Sequence, residues 1–166
     1  NIVDTLMPPL TGIELTLGFM IGGILRGLFV ASGVLIVIFP SVGLIPHNIF
    51  LIFVFIFLGS MTFSLMGILV GIYCNKFDQM SAVNNFLITP LSFLSGTFYS
   101  VSRLPHPFNE ISLFNPIFWL MDGVRFGSIG EIESNFWICF GGILIINAVL
   151  FCFVWRWFSF GYYLKN

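Results

Sequence analysis

The run GLFVASGVLIVIFPSVGLIPHNIFLIFVFIFLGSMTFSLMGILVGIYCN, residues 27–75, decides the class of this chain, because it contains no Asp, Glu, Lys or Arg. A helix that crosses a bilayer needs about 20 mostly apolar residues, so this run is long enough for two crossings. The stretch PSVGLIPHN at 40–48 interrupts it with prolines, a glycine and an asparagine, which favour turns. We therefore predict one membrane-spanning helix before this turn and another after it.

The composition of the whole chain agrees with this prediction. Of its 166 residues, 58% are hydrophobic and 8% are charged, whereas a soluble domain has about 25% charged residues. The mean hydropathy is +1.04. A soluble domain of this size cannot hide that much apolar surface, so the chain is predicted to be an integral membrane protein. The net charge of -1 gives no indication of a nucleic-acid partner.

Charged residues also bound the other apolar runs. We predict an all-α membrane fold, since a backbone in lipid must satisfy its own hydrogen bonds. Four spans are predicted, an even number, so both chain ends lie on the same side. Four basic residues then lie on the side of the ends and two on the other side, which favours the cytoplasm for the ends. The predicted transmembrane helices are 17–39, 49–73, 79–102 and 134–156.

Residues 103–130 do not fit a span. Their longest uncharged stretch, ISLFNPIFWLM at 111–121, would reach only about 16 Å as a helix, half of the hydrocarbon core. It is also too apolar for a loop in water. The sequence therefore predicts a short re-entrant helical hairpin on the external side. Asn115 and Pro116 indicate the start of its second helix, because proline is favoured at the first helical position.

The same hairpin carries two opposite charges, Asp122 and Arg125, three residues apart. An ion pair at this spacing stabilises a helix by only about 0.2–0.5 kcal/mol. That gain is far smaller than the cost of placing either charge in lipid. We therefore expect water or polar groups of the protein to reach both side chains.

The predicted span 79–102 is unusual because it is polar and contains Pro90 in its middle. Proline removes a backbone hydrogen bond, so a kink is expected there. Its polar side chains either hold helices together or line a transport path. As path-lining candidates we take Asn84, Asn85, Thr89 and Ser95.

Arg26 lies inside the first predicted span, where an arginine at the helix centre costs roughly 2.5–3.5 kcal/mol on insertion scales. Two interpretations stay open. Either the embedded part begins near Ile21 and Arg26 reaches the inner surface, or Arg26 faces a polar interior.

Residues 84–130, NNFLITPLSFLSGTFYSVSRLPHPFNEISLFNPIFWLMDGVRFGSIG, resemble the permease subunit of ABC-2 type transporters. The resemblance lies in the order of a polar helix with a proline, an SG.F turn, an LP break, then NP and a downstream arginine. The opening DTLMPPLTGIELTLG resembles the family's cytoplasmic segment before its third span. Family permeases form a six-helix bundle, so the resemblance implies that this chain is a C-terminal fragment lacking the first two helices.

The resemblance also implies roles for two groups of residues. The cytoplasmic segment 1–16 would couple the chain to an ATPase through Asp4, Pro8, Pro9 and Glu14. The hairpin 103–130 would form an external gate that includes Asn115, Pro116, Asp122 and Arg125. Both ends would be cytoplasmic, in a bacterial inner membrane.

The function implied by the resemblance is ATP-driven export by two permease copies, expected to form a homodimer, with a separate ATP-binding cassette ATPase. This chain contains no GxxxxGK[ST] motif that could hold ATP, so ATP and magnesium would bind to the partner subunit, and no cofactor is expected on this chain.

Two other classes stay open. An ion-coupled secondary transporter or channel would place ionisable residues in mid-span, where only Arg26 is found. A membrane-embedded enzyme would need a cluster of acidic, His or Cys residues, yet no HExxH, paired-aspartate or Ser/Lys pattern occurs. The three cysteines lack metal-ligand spacing. We therefore predict no catalytic residue, no metal site and a transporter subunit that is not itself an enzyme.

Overall fold

The structure, a computed structural model, describes residues 11–43, 45–74, 76–96, 105–106 and 108–159, together with the backbone but not the side chain of Asn109. Within these residues the fold is entirely helical, which confirms the predicted all-α class. A π-helical segment, Asn84–Ile88, lies between the third and fourth α-helices. The α-helices are α1 Gly12–Val42, α2 Ile49–Tyr73, α3 Phe77–Val83, α4 Thr89–Phe93, α5 Phe108–Leu113, α6 Pro116–Ile129 and α7 Phe136–Ser159.

Three helices are long and apolar enough to cross a membrane, namely α1, α2 and α7. They pack against one another, and a buried cluster joins all three: Met20, Ile24, Leu65 and Val154. Between α2 and α7, Thr62 donates to the side-chain oxygen of Asn147 over 3.2 Å, and Asn147 donates to the carbonyl of Leu58 over 3.3 Å. These polar groups are buried and satisfied, so they add directional bonds to an interface that is otherwise apolar.

The two ends of the bundle are distinct. At one end, called here the terminal end, the start of α1 lies beside the end of α7, and the Tyr73 and Trp157 rings meet edge to face at 4.4 Å. At the opposite end, called here the hairpin end, the backbone N–H of His47 donates to the Ser128 carbonyl over 3.1 Å. The N–H of Asn48 donates to the Gly127 carbonyl over 2.8 Å. The turn between α1 and α2 is thereby attached to α6.

A capping box starts α1 at the terminal end. The Glu14 carboxylate accepts from the Thr11 backbone N–H over 2.7 Å, and the Thr11 hydroxyl accepts from the Glu14 N–H over 3.4 Å. These bonds satisfy donors that a helix start leaves open. Glu14, predicted as a coupling residue, therefore also fixes where α1 begins. The other predicted coupling residues, Asp4, Pro8 and Pro9, lie outside the described residues.

The predicted span 79–102 corresponds to a shorter continuous helical stretch at 77–93. This stretch consists of α3, the π-helical segment and α4, and the three together are called here the third helix. Pro90 lies in the first turn of α4, directly after the π-helical segment, whose turns are wider than those of an α-helix. It cannot donate to the helix ladder, which is a physical reason for a change of pitch there. The helix ends before Gly96, whose φ of 73° is the left-handed conformation typical of a helix terminus. Residues 97–102 are outside the described part, so a crossing over 79–102 stays a prediction.

Candidate functional site

The second hairpin helix, α6, packs into the bundle like a core element. Leu120 forms a buried cluster with Leu58 of α2 and Ile143 of α7. Gly123 lies directly against the ring of Phe55. Through these contacts α6 covers the half of α2 that lies toward the hairpin end.

Asn115 starts α6 and also attaches it to the third helix. Its side-chain oxygen accepts from the Ile117 N–H over 3.0 Å, with Pro116 at the helix start, as predicted from the sequence. Its Nδ2 donates to the Leu91 carbonyl over 2.7 Å. The side chain is buried. One amide therefore caps α6 at its N-terminus and binds a carbonyl near the end of the third helix.

We expect Asn115→Ala to lower the unfolding free energy by about 1–2 kcal/mol, because it removes a helix cap and leaves the Leu91 carbonyl without this donor. Asn115→Asp separates the two contributions, since it keeps the cap and loses the donor. Chemical denaturation in detergent measures both variants. Asn85→Ala, which alters an exposed amide of the third helix, is the matched control. Equal unfolding free energies for Asn115→Ala and this control would refute the expectation.

Asp122 is fully buried and fixes the connection between α6 and α7. Its Oδ1 accepts from the Glu133 N–H over 3.0 Å, and its Oδ2 accepts from the N–H and hydroxyl of Ser134 over 2.9 and 2.7 Å. The Ser134 hydroxyl also lies 2.8 Å from the sulfur of Cys139. Three hydrogen-bond donors of the segment just before α7 thus take the place of the water that the buried carboxylate has lost. This confirms the expectation that polar groups of the protein reach it.

Arg125 joins three parts of the chain. Its guanidinium lies 3.5 Å from the Asp122 carboxylate and 2.9 Å from that of Glu133, and it donates to the Gly96 carbonyl over 2.8 Å. The arginine side chain is 23% exposed and the Glu133 side chain 22%, so water reaches this network partly. The predicted pair is therefore present, but Glu133 is the closer acid and Gly96 belongs to the turn that ends the third helix. We call Asn115, Asp122, Arg125 and Glu133 the hairpin clamp.

The four path-lining candidates have different surroundings. Asn84, Asn85 and Thr89 are exposed on the third helix, whereas Ser95 is buried in the turn that follows it. The Thr89 hydroxyl donates to the Asn84 carbonyl over 3.0 Å, and the Ser95 hydroxyl to the Ser92 carbonyl over 2.5 Å. The structure thus places the four predicted gate residues along α6 or at its start, where only Asp122 and Arg125 contact each other, and Glu14 lies at the terminal end of the bundle. Their roles in coupling, gating and lining a path stay predictions.

The hairpin clamp shows what the sequence did not indicate. Glu133 lies eight residues after Arg125, a spacing at which sequence alone predicts no contact. The partners at Leu91 and Gly96 are backbone carbonyls, which carry no residue-specific signal. Among the residues that the structure describes, no group of three His, Cys, Asp or Glu could hold a metal ion.

Comparison with known proteins defines the class to which this helical membrane chain belongs. Residues 2–129 match the family described as ABC-2 type transporter. The chain belongs to this family.

Curated relatives agree with that membership. The inner membrane transport permease YadH of Escherichia coli K12 is 31% identical over 155 residues, which cover 93% of this chain and 60% of YadH. Nodulation protein J of Rhizobium leguminosarum bv. viciae is 28% identical over 92 residues, 55% of this chain and 36% of that protein. The chain thus spans about three fifths of the length of YadH. No solved structure matches the chain.

Proposed function

We propose that the chain is the membrane-spanning part of an ATP-driven exporter in a bacterial inner membrane, working with a separate ATPase subunit and a second copy of the permease. The single observation that supports this most is the hairpin clamp. It ties α6, a helix of 14 residues that packs against α2 and α7, to the end of the third helix. Such an element, at the end opposite the predicted coupling segment, has the position of a gate.

The topology that we propose has four crossings, formed by α1, α2, the third helix and α7, with α5 and α6 entering the external leaflet without crossing it. The third helix is about 25 Å long, and the turn at 94–96 extends it toward the roughly 30 Å of hydrocarbon. An irregular backbone at membrane depth is tolerated only against protein or water. The burial of α6 against α2 and α7 supplies that protein surface. Both chain ends then lie in the cytoplasm.

In the proposed mechanism, movement starts at the terminal end. Closure of the ATPase subunits on ATP pushes on residues 1–16, which lead into α1 at its capping box. From there α1 transmits the displacement to α2, on which it packs through Gly23 and Gly27, and α2 transmits it to α6. The hairpin clamp makes α6 and the end of the third helix move together, which opens a path for the cargo.

The test of the ATPase partnership uses the full-length protein. It is expressed in its native host, purified under mild conditions by a tag on the permease together with any bound Walker-type ATPase, and reconstituted into vesicles. We expect the two subunits to co-purify, and transport to stop when the Walker lysine of the partner is replaced. Purification of the permease without any ATPase under mild conditions, or transport driven by an ion gradient alone, would overturn the proposal.

A labelling experiment tests the topology. Single cysteines replace Arg103 and Glu131 one at a time, in full-length protein whose own Cys74, Cys139 and Cys152 are changed to serine. A membrane-impermeant thiol reagent added to intact cells should modify both positions, because the re-entrant hairpin keeps both on the external face. Modification of one position from outside and of the other only after permeabilisation would refute the hairpin topology.

A further inference from the structure

Helix α7 is fixed at the terminal end of the bundle by direct contact with the start of α1. A Cβ added at Gly12 would lie 2.7 Å from the Ser159 nitrogen and 3.0 Å from the carbonyl carbon of Phe158. Main-chain atoms of the two helices therefore meet here, because glycine places no side chain between them. Beside this contact the rings of Phe19 and Phe158 stack with their centroids 6.4 Å apart. We call Gly12, Phe158 and Ser159 the terminal joint.

The other end of α7 is fixed to α6 by the buried Asp122 carboxylate. The Asn135 side-chain oxygen accepts from the Trp137 N–H over 2.9 Å and so caps α7. Directly before this cap the Ser134 hydroxyl donates to Asp122 over 2.7 Å, and Cys139 in the first turn of α7 lies 2.8 Å from the same hydroxyl. The hydroxyl has one hydrogen and gives it to Asp122, so the Cys139 thiol is the donor of the second bond. We call Asp122, Ser134 and Cys139 the hairpin joint.

Helix α7 connects the two joints without a break. It contains 24 residues and no proline, and at about 1.5 Å per residue it is about 36 Å long. At its middle, the buried Asn147 side chain lies 3.2 Å from the Thr62 hydroxyl and donates to the Leu58 carbonyl over 3.3 Å. On either side of Asn147, α7 has buried apolar contacts through Ile143 and Val154. One directional attachment thus lies between two non-directional ones.

We propose that α7 is a lever that pivots at Asn147 and carries movement of the α1 start directly to α6. This inference rests on the proposed function and adds a second route to the one through α2. Packed apolar helices slide past one another by small shear movements, whereas the bonds of Asn147 hold one point of α7 in place. A push on the terminal joint then moves the hairpin joint in the opposite direction. The Asp122 carboxylate passes this movement to α6, because it binds the segment directly before α7.

The thiol of Cys139 reports on the hairpin joint, because it is fully buried and reacts only when the joint opens. The experiment uses the full-length permease in detergent, without ATPase or nucleotide, and with every other cysteine changed to serine. It measures the rate at which N-ethylmaleimide modifies Cys139. We expect Gly12→Val to raise this rate at least about fivefold, since a small loss of local stability multiplies the open fraction. Gly12→Ala should raise it less. The two positions are about 30 Å apart along the bundle, so a direct contact cannot explain the change.

Two further variants separate movement of the lever from a general loss of stability. Gly18→Val puts the same side chain on α1 where a Cβ would meet none of the described atoms within 4 Å, so the rate should stay at the wild-type value. Gly27→Val weakens the packing of α1 on α2, because a Cβ there would strike Ser60. With Tm measured for each variant, the rise in rate per degree of lost Tm should be several-fold smaller for Gly27→Val than for Gly12→Val.

Removal of the pivot gives the last comparison. Asn147→Leu deletes the bonds at mid-helix, while the Thr62 hydroxyl keeps its bond of 2.9 Å to the Leu58 carbonyl. In this background Gly12→Val should change the Cys139 rate by less than about twofold, as for sites that act independently. A full rise in the Asn147→Leu background, no rise in the wild-type background, or an equal rise per degree for Gly27→Val would each overturn the inference. Binding of an ATPase is measured separately by co-purification, so failure of the export proposal leaves this result intact.

Discussion

Replacing Asp122 with alanine is expected to lower the unfolding free energy by about 3–5 kcal/mol, the range for breaking a buried ion pair by removing one partner. The loss is large because Asp122 accepts from two backbone N–H groups and one hydroxyl of the segment before α7. Those three donors would lose their acceptor at a partly buried site. Arg125 would still form its ion pair with Glu133, and this remaining pair limits the loss of unfolding free energy.

The measurement is denaturant-induced unfolding of purified protein in detergent, followed by tryptophan fluorescence. Asp122→Asn should fall between wild type and Asp122→Ala, since the amide keeps one acceptor oxygen and loses the charge. Glu131→Ala is the matched control, because Glu131 is an exposed acid at the same end of the bundle. If Asp122→Ala and Glu131→Ala unfold within about 0.5 kcal/mol of each other, the size of a neutral surface substitution, then Asp122 does not hold the connection.

Substitution of Gly127 is expected to have the second largest effect. A Cβ at this position would lie 2.7 Å from Ile52 Cγ1, 3.0 Å from the Ile52 nitrogen and 3.2 Å from the Asn48 carbonyl oxygen. Two of these atoms belong to backbone and cannot turn away as a side chain can. Gly127→Ala should therefore destabilise the protein by about 1–3 kcal/mol through overpacking. Gly127→Val should destabilise it further, because α6 must then separate from α2.

Gly141→Ala provides the control for this prediction. It lies in α7, and a Cβ there would meet nothing within 4 Å. In a helix, alanine is favoured over glycine by up to about 1 kcal/mol, so Gly141→Ala should be neutral or stabilising. Thermal unfolding in detergent compares the two variants directly. A Gly127→Ala protein as stable as Gly141→Ala would show that α6 does not pack closely on α2.

The sequence predicted those parts of the structure that depend on local composition. Long apolar runs between charges indicated α1, α2 and α7, because lipid requires helices of that length. Asn115 and Pro116 indicated the start of α6, since both residues satisfy a helix N-terminus locally. Thr11 and Glu14 had the spacing of a capping box, a signal that could have located the start of α1 and was missed.

The rest depends on contacts between distant residues. In the described part of the predicted span 79–102, the helix ends at Phe93 and a turn follows at 94–96, and no charged residue marks this end. The bonds from Asn115 to Leu91 and from Arg125 to Gly96 join positions that no sequence period relates. Arg26 lies near the middle of α1, at a depth set by the packing of its neighbour Gly27 on Ser60 of α2.

The way in which the hairpin holds the third helix has a consequence for how such permeases diversify. Asn115 and Arg125 both donate hydrogen bonds to main-chain carbonyl oxygens, which every amino acid possesses. Residues on the third helix can therefore be exchanged without losing this attachment, provided that the backbone keeps its course. The side chains of the third helix can thus diverge between relatives while α6 keeps the same attachment to its backbone.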